Sequence, residues 1–289
     1  MVGPSDLIYG VLLPALIAGV LLLLGGRGTS LAGKPRPFLG ALAIGAGYLL
    51  CHVMRVGMPP VPFGTTQVPS RDWIAWIVLA AIVLAPIRVW PRIQRWGGPL
   101  YLAFFSVLVF RLVLGNALGD DARGLAIRLG LTMLFYVGWS LLERFTLRST
   151  GPAAAVGLIV AGCGVAGCAF FGKSELLAQV CGAVCAGLGA AALVATMDKG
   201  ASLPTGAVAV SLIVFVSTIV ILSVYDMPRS STVLLSVSLI APFVSQIGKL
   251  KELSPMKRAF VAAAAAGIPA AIAVAIVHAA SVASDASAY

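Results

Sequence analysis

The segment GLAIRLGLTMLFYVGWSLLERFTLR, Gly124–Arg148, decides how the chain is read. It is apolar enough to cross a bilayer, yet Arg128, Thr132, Tyr136, Ser140 and Arg144 recur through it at four-residue steps. A helix turns about 100° per residue, so Arg128, Thr132, Tyr136, Ser140 and Glu143 share about a third of its circumference. Lipid cannot hydrogen-bond such a stripe. This predicts that the stripe faces other helices or a wet cavity.

Composition sets the class. Of 289 residues, 60% are hydrophobic and 10% charged, whereas ordinary soluble domains carry about 25% charged residues. A water-soluble fold is excluded, and the chain reads as an all-α polytopic integral membrane protein whose first partner is the lipid bilayer. The five cysteines, Cys51, Cys163, Cys168, Cys181 and Cys185, lie inside apolar runs, where a thiol is a small packing residue. Their spacings match no zinc pattern, and a disulfide framework would place them in polar loops. The net charge of +10 is spread between apolar segments rather than clustered, which points to membrane topology and away from nucleic acid.

Windows of about 19 residues give ten candidate spans, at 6–25, 38–57, 72–90, 98–118, 123–146, 152–172, 174–197, 203–225, 230–248 and 258–281. The sixth and seventh are separated only by Phe171–Ser174. MVGPSDLIYG carries Asp6 and no Lys or Arg before its apolar run, unlike the basic n-region of a signal peptide, so the first run is read as a retained helix. Placing both termini outside puts thirteen of the twenty basic residues in cytoplasmic loops and seven of the ten acids outside, as the positive-inside rule requires. Trp73 and Trp76 then mark the outer interface of span three, and Trp90 and Trp96 its inner end. The expected setting is a bacterial cytoplasmic (inner) membrane.

Between spans two and three, MPPVPFGTTQVPS has four prolines in thirteen residues and is expected to lie as an extended cap. Pro14, Pro86, Pro242 and Pro269 fall inside spans one, three, nine and ten, where each removes a backbone bond. Small residues recur in span six (Gly157, Gly162, Gly164, Gly167) and span seven (Ala178, Gly182, Ala186, Ala190). Such rows allow close helix contact. Residues 1–289 are read as one membrane-embedded domain. An old division near 148–152 finds no support in internal similarity, although all five Trp precede residue 150.

Several constellations could carry function. Arg111 precedes the Gly119–Asp121 turn by about as many residues as Arg128 follows it, so both lie roughly 10–13 Å below it. They either grip an anion, such as a carboxylate, phosphate or lipid headgroup, or snorkel outward to Asp120 and Asp121. His52, Arg55 and His278 would add positive or titratable groups at the same level. In span nine, Ser231, Ser238 and Ser245 share a face with Pro242. This suits a solute path and interhelical hydrogen bonding alike. Thr132, Tyr136 and Ser140 complete the candidate substrate-binding set.

Catalytic motifs are missing: there is no H-E-x-x-H, G-x-S-x-G or Walker loop. Two histidines are too few for haem or zinc. No cofactor, metal site or catalytic residue is assigned, and the reading leans against an enzyme. The leading expectation is a secondary transporter or permease-like carrier of a small anionic solute. The alternatives are a non-catalytic subunit or scaffold with a membrane-protein partner or a second copy, and an enzyme acting on a lipid phosphate at the outer leaflet. The topology predicts that reporters fused at Tyr289 and near Gln94 report opposite sides of the membrane. A cytoplasmic Tyr289 would overturn the count or the orientation.

Overall fold

The computed structural model describes residues 7–27, 37–62, 68–89, 94–114, 121–148, 151–197, 203–225 and 227–286. Asp120, the middle of the proline-rich cap (63–67), Asp226 and the end of the C-terminal tail lie outside the described residues. No strand occurs among the described residues, and the helices follow the apolar runs. In chain order they are α1 (Leu13–Arg27, entered through a π-helical turn Ile8–Leu12), α2 (Pro37–Val56), α3 (Ser70–Leu84, continued by a 3₁₀ turn Ala85–Val89) and α4 (Gln94–Leu108, ending in a π-helical turn Val109–Val113). There follow α5 (Ala122–Arg148), α6 (Ala153–Phe171), α7 (Glu175–Met197), α8 (Thr205–Tyr225), α9 (Arg229–Ile240, continued by a 3₁₀ turn Ala241–Gln246) and α10 (Pro255–Ala286).

Among the described residues, eight helices are long and apolar enough to cross a membrane. The first and ninth expected spans correspond to shorter elements. Ile8–Leu24 is a short apolar helix, and α9 stops after twelve residues. Pro242 explains the second case. Its ring removes a donor, and the backbone tightens to a 3₁₀ turn from Ala241 onward. The sixth and seventh spans are separate helices, turned about Gly172–Ser174 with Lys173 at φ 61.

α8 is the axis of the bundle. Its sequence, TGAVAVSLIVFVSTIVILSVY, is apolar on every side, the pattern of a helix surrounded by protein. Of its most apolar window, 83% is buried, against 22% for α5 and 28% for α10. α2 and α3 pack on α8, α1 packs on α2 and α7, and α6 lies between α7 and α10. Helices from both sides of residues 148–152 therefore interleave.

Small residues set the close approaches, because lipid offers no hydrophobic force between helices and van der Waals contact must supply the attraction. A Cβ at Gly164 of α6 would lie 2.6 Å from the Cβ of Ala270 in α10, and one at Gly157 would lie 2.6 Å from Pro242. In α7 the tight position is Gly187, against Ile44 and Ala18, whereas a Cβ at Gly182 would meet nothing within 4 Å. The tight glycine of α7 thus lies off the four-residue row, beside Ala186, while Ala190 of the row lies 3.8 Å from where a Cβ at Gly19 of α1 would stand. Gly164→Ala should lower stability by about 1–3 kcal/mol through overpacking, while Gly182→Ala should be neutral. Thermal unfolding in detergent checks this, and equal melting of the two variants would contradict it.

Candidate functional site

α5 is the least enclosed long helix, and its C-terminal end is tethered by charge. Glu143 pairs with Arg88 of the 3₁₀ turn after α3, with both side chains largely buried. The Arg88 guanidinium lies 5.1 Å from the centre of the Tyr101 ring, a cation–π distance. Tyr101 in turn donates its hydroxyl to the Ala81 carbonyl at 2.9 Å. Aromatic contacts continue along α5: Tyr101 meets Trp139 edge-on at 6.2 Å, Trp139 meets Phe135 at 5.3 Å, and Phe135 meets Phe110 at 5.9 Å. The ion pair and this ladder hold α5 against α3 and α4.

On its other side α5 touches α8 and α9 only in part, and between the three helices lies a cleft of about 570 Å³. That lies within the usual range of small-molecule sites, about 300–1,000 Å³. The walls are almost wholly apolar: Ile127, Leu131, Leu134 and Leu142 from α5, Leu212 and Val216 from α8, Val233 and Leu239 from α9. The α8 wall from Leu212 to Val224 rises roughly 18 Å. At one end Gly138 of α5 approaches Ile240 of α9, where a Cβ would come within 3.3 Å. At the other end stands Arg229, exposed, at the start of α9.

Two polar groups in this apolar wall lack partners. The Trp139 indole nitrogen, on a side chain 1% exposed, and the Thr232 hydroxyl are buried with no hydrogen-bond acceptor or donor among the described residues. Each unpaired buried group costs about 1–3 kcal/mol. The other two hydroxyls are satisfied locally, Ser223 by the Val220 carbonyl and Ser236 by the Thr232 carbonyl, both at 2.8 Å. The cleft therefore offers a long apolar slot with a guanidinium at one end, and the Trp139 nitrogen and Thr232 hydroxyl lie closed off within its wall.

The residues singled out from sequence are distributed as follows. Arg111 is exposed on the π-helical turn after α4, Arg128 is buried on α5, and neither lines the cleft. Thr132, Tyr136 and Ser140 are half-buried on the face beside the cleft-lining stripe, and Ser140 donates to the Tyr136 carbonyl at 2.8 Å. Asp121 is exposed and accepts the Gly124 N–H at 2.9 Å, capping α5. Ser238 and Ser245 are fully buried and donate to Leu235 and Pro242 of their own segment, while Ser231 reaches across to the Ala273 carbonyl of α10 at 3.4 Å. His278 is exposed with its ring 4.6 Å from Phe171. His52 is buried against Asp72, and Arg55 is half-buried one turn further along α2.

The stripe on α5 thus meets a counter-charge, Arg88, at its Glu143 end, and the cleft belongs to the neighbouring face. Sequence reasoning missed Arg88 as a partner, and missed Trp139, Thr232 and Arg229 altogether. A signal existed for the first: Glu143 is a lone acid in an apolar helix, and Arg88 ends span three at matching depth. Comparison of the chain with protein-family models, with curated proteins and with solved structures finds no match.

Removing one partner of a buried pair leaves an uncompensated charge and costs about 3–5 kcal/mol, whereas replacing both with apolar residues is often neutral. Glu143→Ala should therefore destabilise the protein strongly, and Arg88→Met combined with Glu143→Leu should recover most of the loss. Thermal unfolding of the single and double variants measures this. Additive losses in the double variant would show that the pair is not coupled.

Proposed function

We propose that the protein is a ten-crossing carrier of an anionic amphiphile, with both termini outside a cytoplasmic-type membrane. Its ligand is taken laterally into the cleft between α5, α8 and α9. The observation that supports this reading most directly is the pairing of a long apolar slot with an exposed arginine, Arg229, at one end. A small hydrophilic anion would leave the apolar walls unmatched. A purely apolar molecule would leave the arginine at the slot's mouth unused. A lipid-like molecule with a carboxylate or phosphate head satisfies both.

The length of the short elements supports ten crossings. Twelve α-helical residues and six 3₁₀ residues at about 1.5 and 2.0 Å rise make α9 and its extension roughly 30 Å long, the thickness of a hydrocarbon core. The distribution of basic residues supports the orientation. Carriage, rather than storage, is favoured by the way α5 is held: one end is pinned while the flank beside the cleft is sparsely packed. Lightly packed elements are those that open at least cost.

Native mass spectrometry in mild detergent tests the ligand. A single-chain anionic lipid should bind in preference to its zwitterionic counterpart. Arg229→Gln should weaken anionic binding about ten- to a hundredfold, the equivalent of one charge-assisted hydrogen bond. Lys173→Gln, on the exposed turn between α6 and α7, should leave it unchanged. Equal binding of both lipids, or equal loss in both variants, would overturn the proposal.

A further inference from the structure

We infer that His52 and Asp72 form a proton-binding site, distinct from the cleft, that exchanges with the aqueous phase at the Arg229 end of the bundle. His52 lies in the last turns of α2 and Asp72 in the first turn of α3. Their side chains are 2% and 5% exposed, with Nε2 and Oδ1 3.4 Å apart. The contact has ionic distance without hydrogen-bond geometry, and neither atom has a hydrogen-bond partner among the described residues. A lone charge inside a membrane protein is costly, and such residues mark proton or ion paths by default.

The surroundings make the pair reversible rather than fixed. Asp72 Oδ1 is approached from two sides, by His52 Nε2 at 3.4 Å and by Arg71 Nε at 3.8 Å. Arg71 has 53% of its side chain exposed and so remains charged at little solvation cost. Binding one proton converts neutral imidazole and carboxylate either to imidazolium and carboxylate or to imidazole and carboxylic acid. In both products the buried pair is neutral overall. Releasing that proton to water leaves the carboxylate, and Arg71 is already beside it to compensate. A static staple would need only a permanent cation; a histidine with an alternative cation at hand can gain and lose its proton without stranding a buried charge.

Among the described residues, the other groups near His52 supply no second charge switch. On α2 itself stand Tyr48, whose ring is 6.0 Å away, together with Cys51 and Arg55. From α3 come Asp72 and Arg71, the charges that act on the imidazole. α7 presents Cys181, which contacts Thr218 of α8, and residues 205–224 of α8 contain no ionisable side chain. The π-helical turn before α1 carries Tyr9 at this end. Arg88, beyond the far end of α3, belongs to Glu143. Trp76 donates its indole N–H to the Pro60 carbonyl at 3.0 Å, holding the extended segment after α2 against α3 beside the pair. If the carrier reading holds, this site supplies a coupling ion, but the site stands without it.

The chain has two histidines, so nitrogen NMR of histidine-labelled protein in lipid nanodiscs resolves the site. His278→Gln leaves His52 as the sole imidazole. In that background the His52 nitrogens should switch between neutral and protonated patterns as pH falls from about 8 to about 5, the window of an exchangeable imidazole. Asp72→Asn should abolish the switch, because the buried cation then lacks its counter-charge, and Asp72→Glu should restore it. A His52 signal constant across the range would overturn the assignment, and so would a switch that D72N leaves unaltered. Should D72N fail to fold, the H278Q titration and D72E decide by themselves. None of these readouts involves the cleft, so a protein that binds no lipid and still titrates separates the two conclusions.

Discussion

The placement of α5 rests on one buried ion pair. Arg88 and Glu143 are the charges that join the end of α3 to the end of α5, with both side chains largely buried. A charge in such a place must be compensated, and the compensation is directional only if hydrogen bonds and packing fix it. Tyr101 provides the packing: its face receives the guanidinium and its hydroxyl is anchored to Ala81. This is the strongest tie on a helix with little else to hold it, since α5 has the smallest buried share of the membrane-length helices.

That asymmetry generates the cleft. On one side of the bundle, glycine and alanine bring α6 against α10 and the turn after α9 at distances that leave no room for a Cβ at Gly157 or Gly164. On the other, α5 presents Leu131, Leu134 and Leu142 toward α8 and α9 with a gap between them. Large side chains on a tethered helix keep the walls apart. A rigid side and a looser side are what a carrier or lipid-handling protein needs, because ligand entry can then move one wall and leave the axis, α8, undisturbed.

The helical membrane class was legible in Gly124–Arg148 and in the composition, because apolar length is a property of a single segment. So were the approximate helix positions, and the packing role of Gly157 and Gly164. Tertiary pairing was less legible. His52 was read with Arg55 on its own helix, yet its neighbour is Asp72, beyond a proline-rich turn. The polar stripe on α5 drew attention to Arg128 and Ser140, whereas the cleft lies on the adjacent stripe, Ile127–Leu131–Phe135–Trp139–Leu142. A stripe of large apolar residues looks the same whether it meets lipid, protein or a ligand. Only the position of α8 and α9 distinguishes these cases, and helix rotation within a bundle is set by contacts between segments far apart in sequence.

The proposed carriage requires a ligand in the slot between α5, pinned by Arg88 and Glu143, and α8 and α9. Electron cryo-microscopy of the protein in nanodiscs made from native lipid extract tests it most directly. An elongated non-protein density is expected between Leu131 and Leu134 of α5 and Val233 of α9, widening toward Arg229. A map in which α5 lies directly on α9 along this length, with those side chains in contact and no space between them, would contradict it.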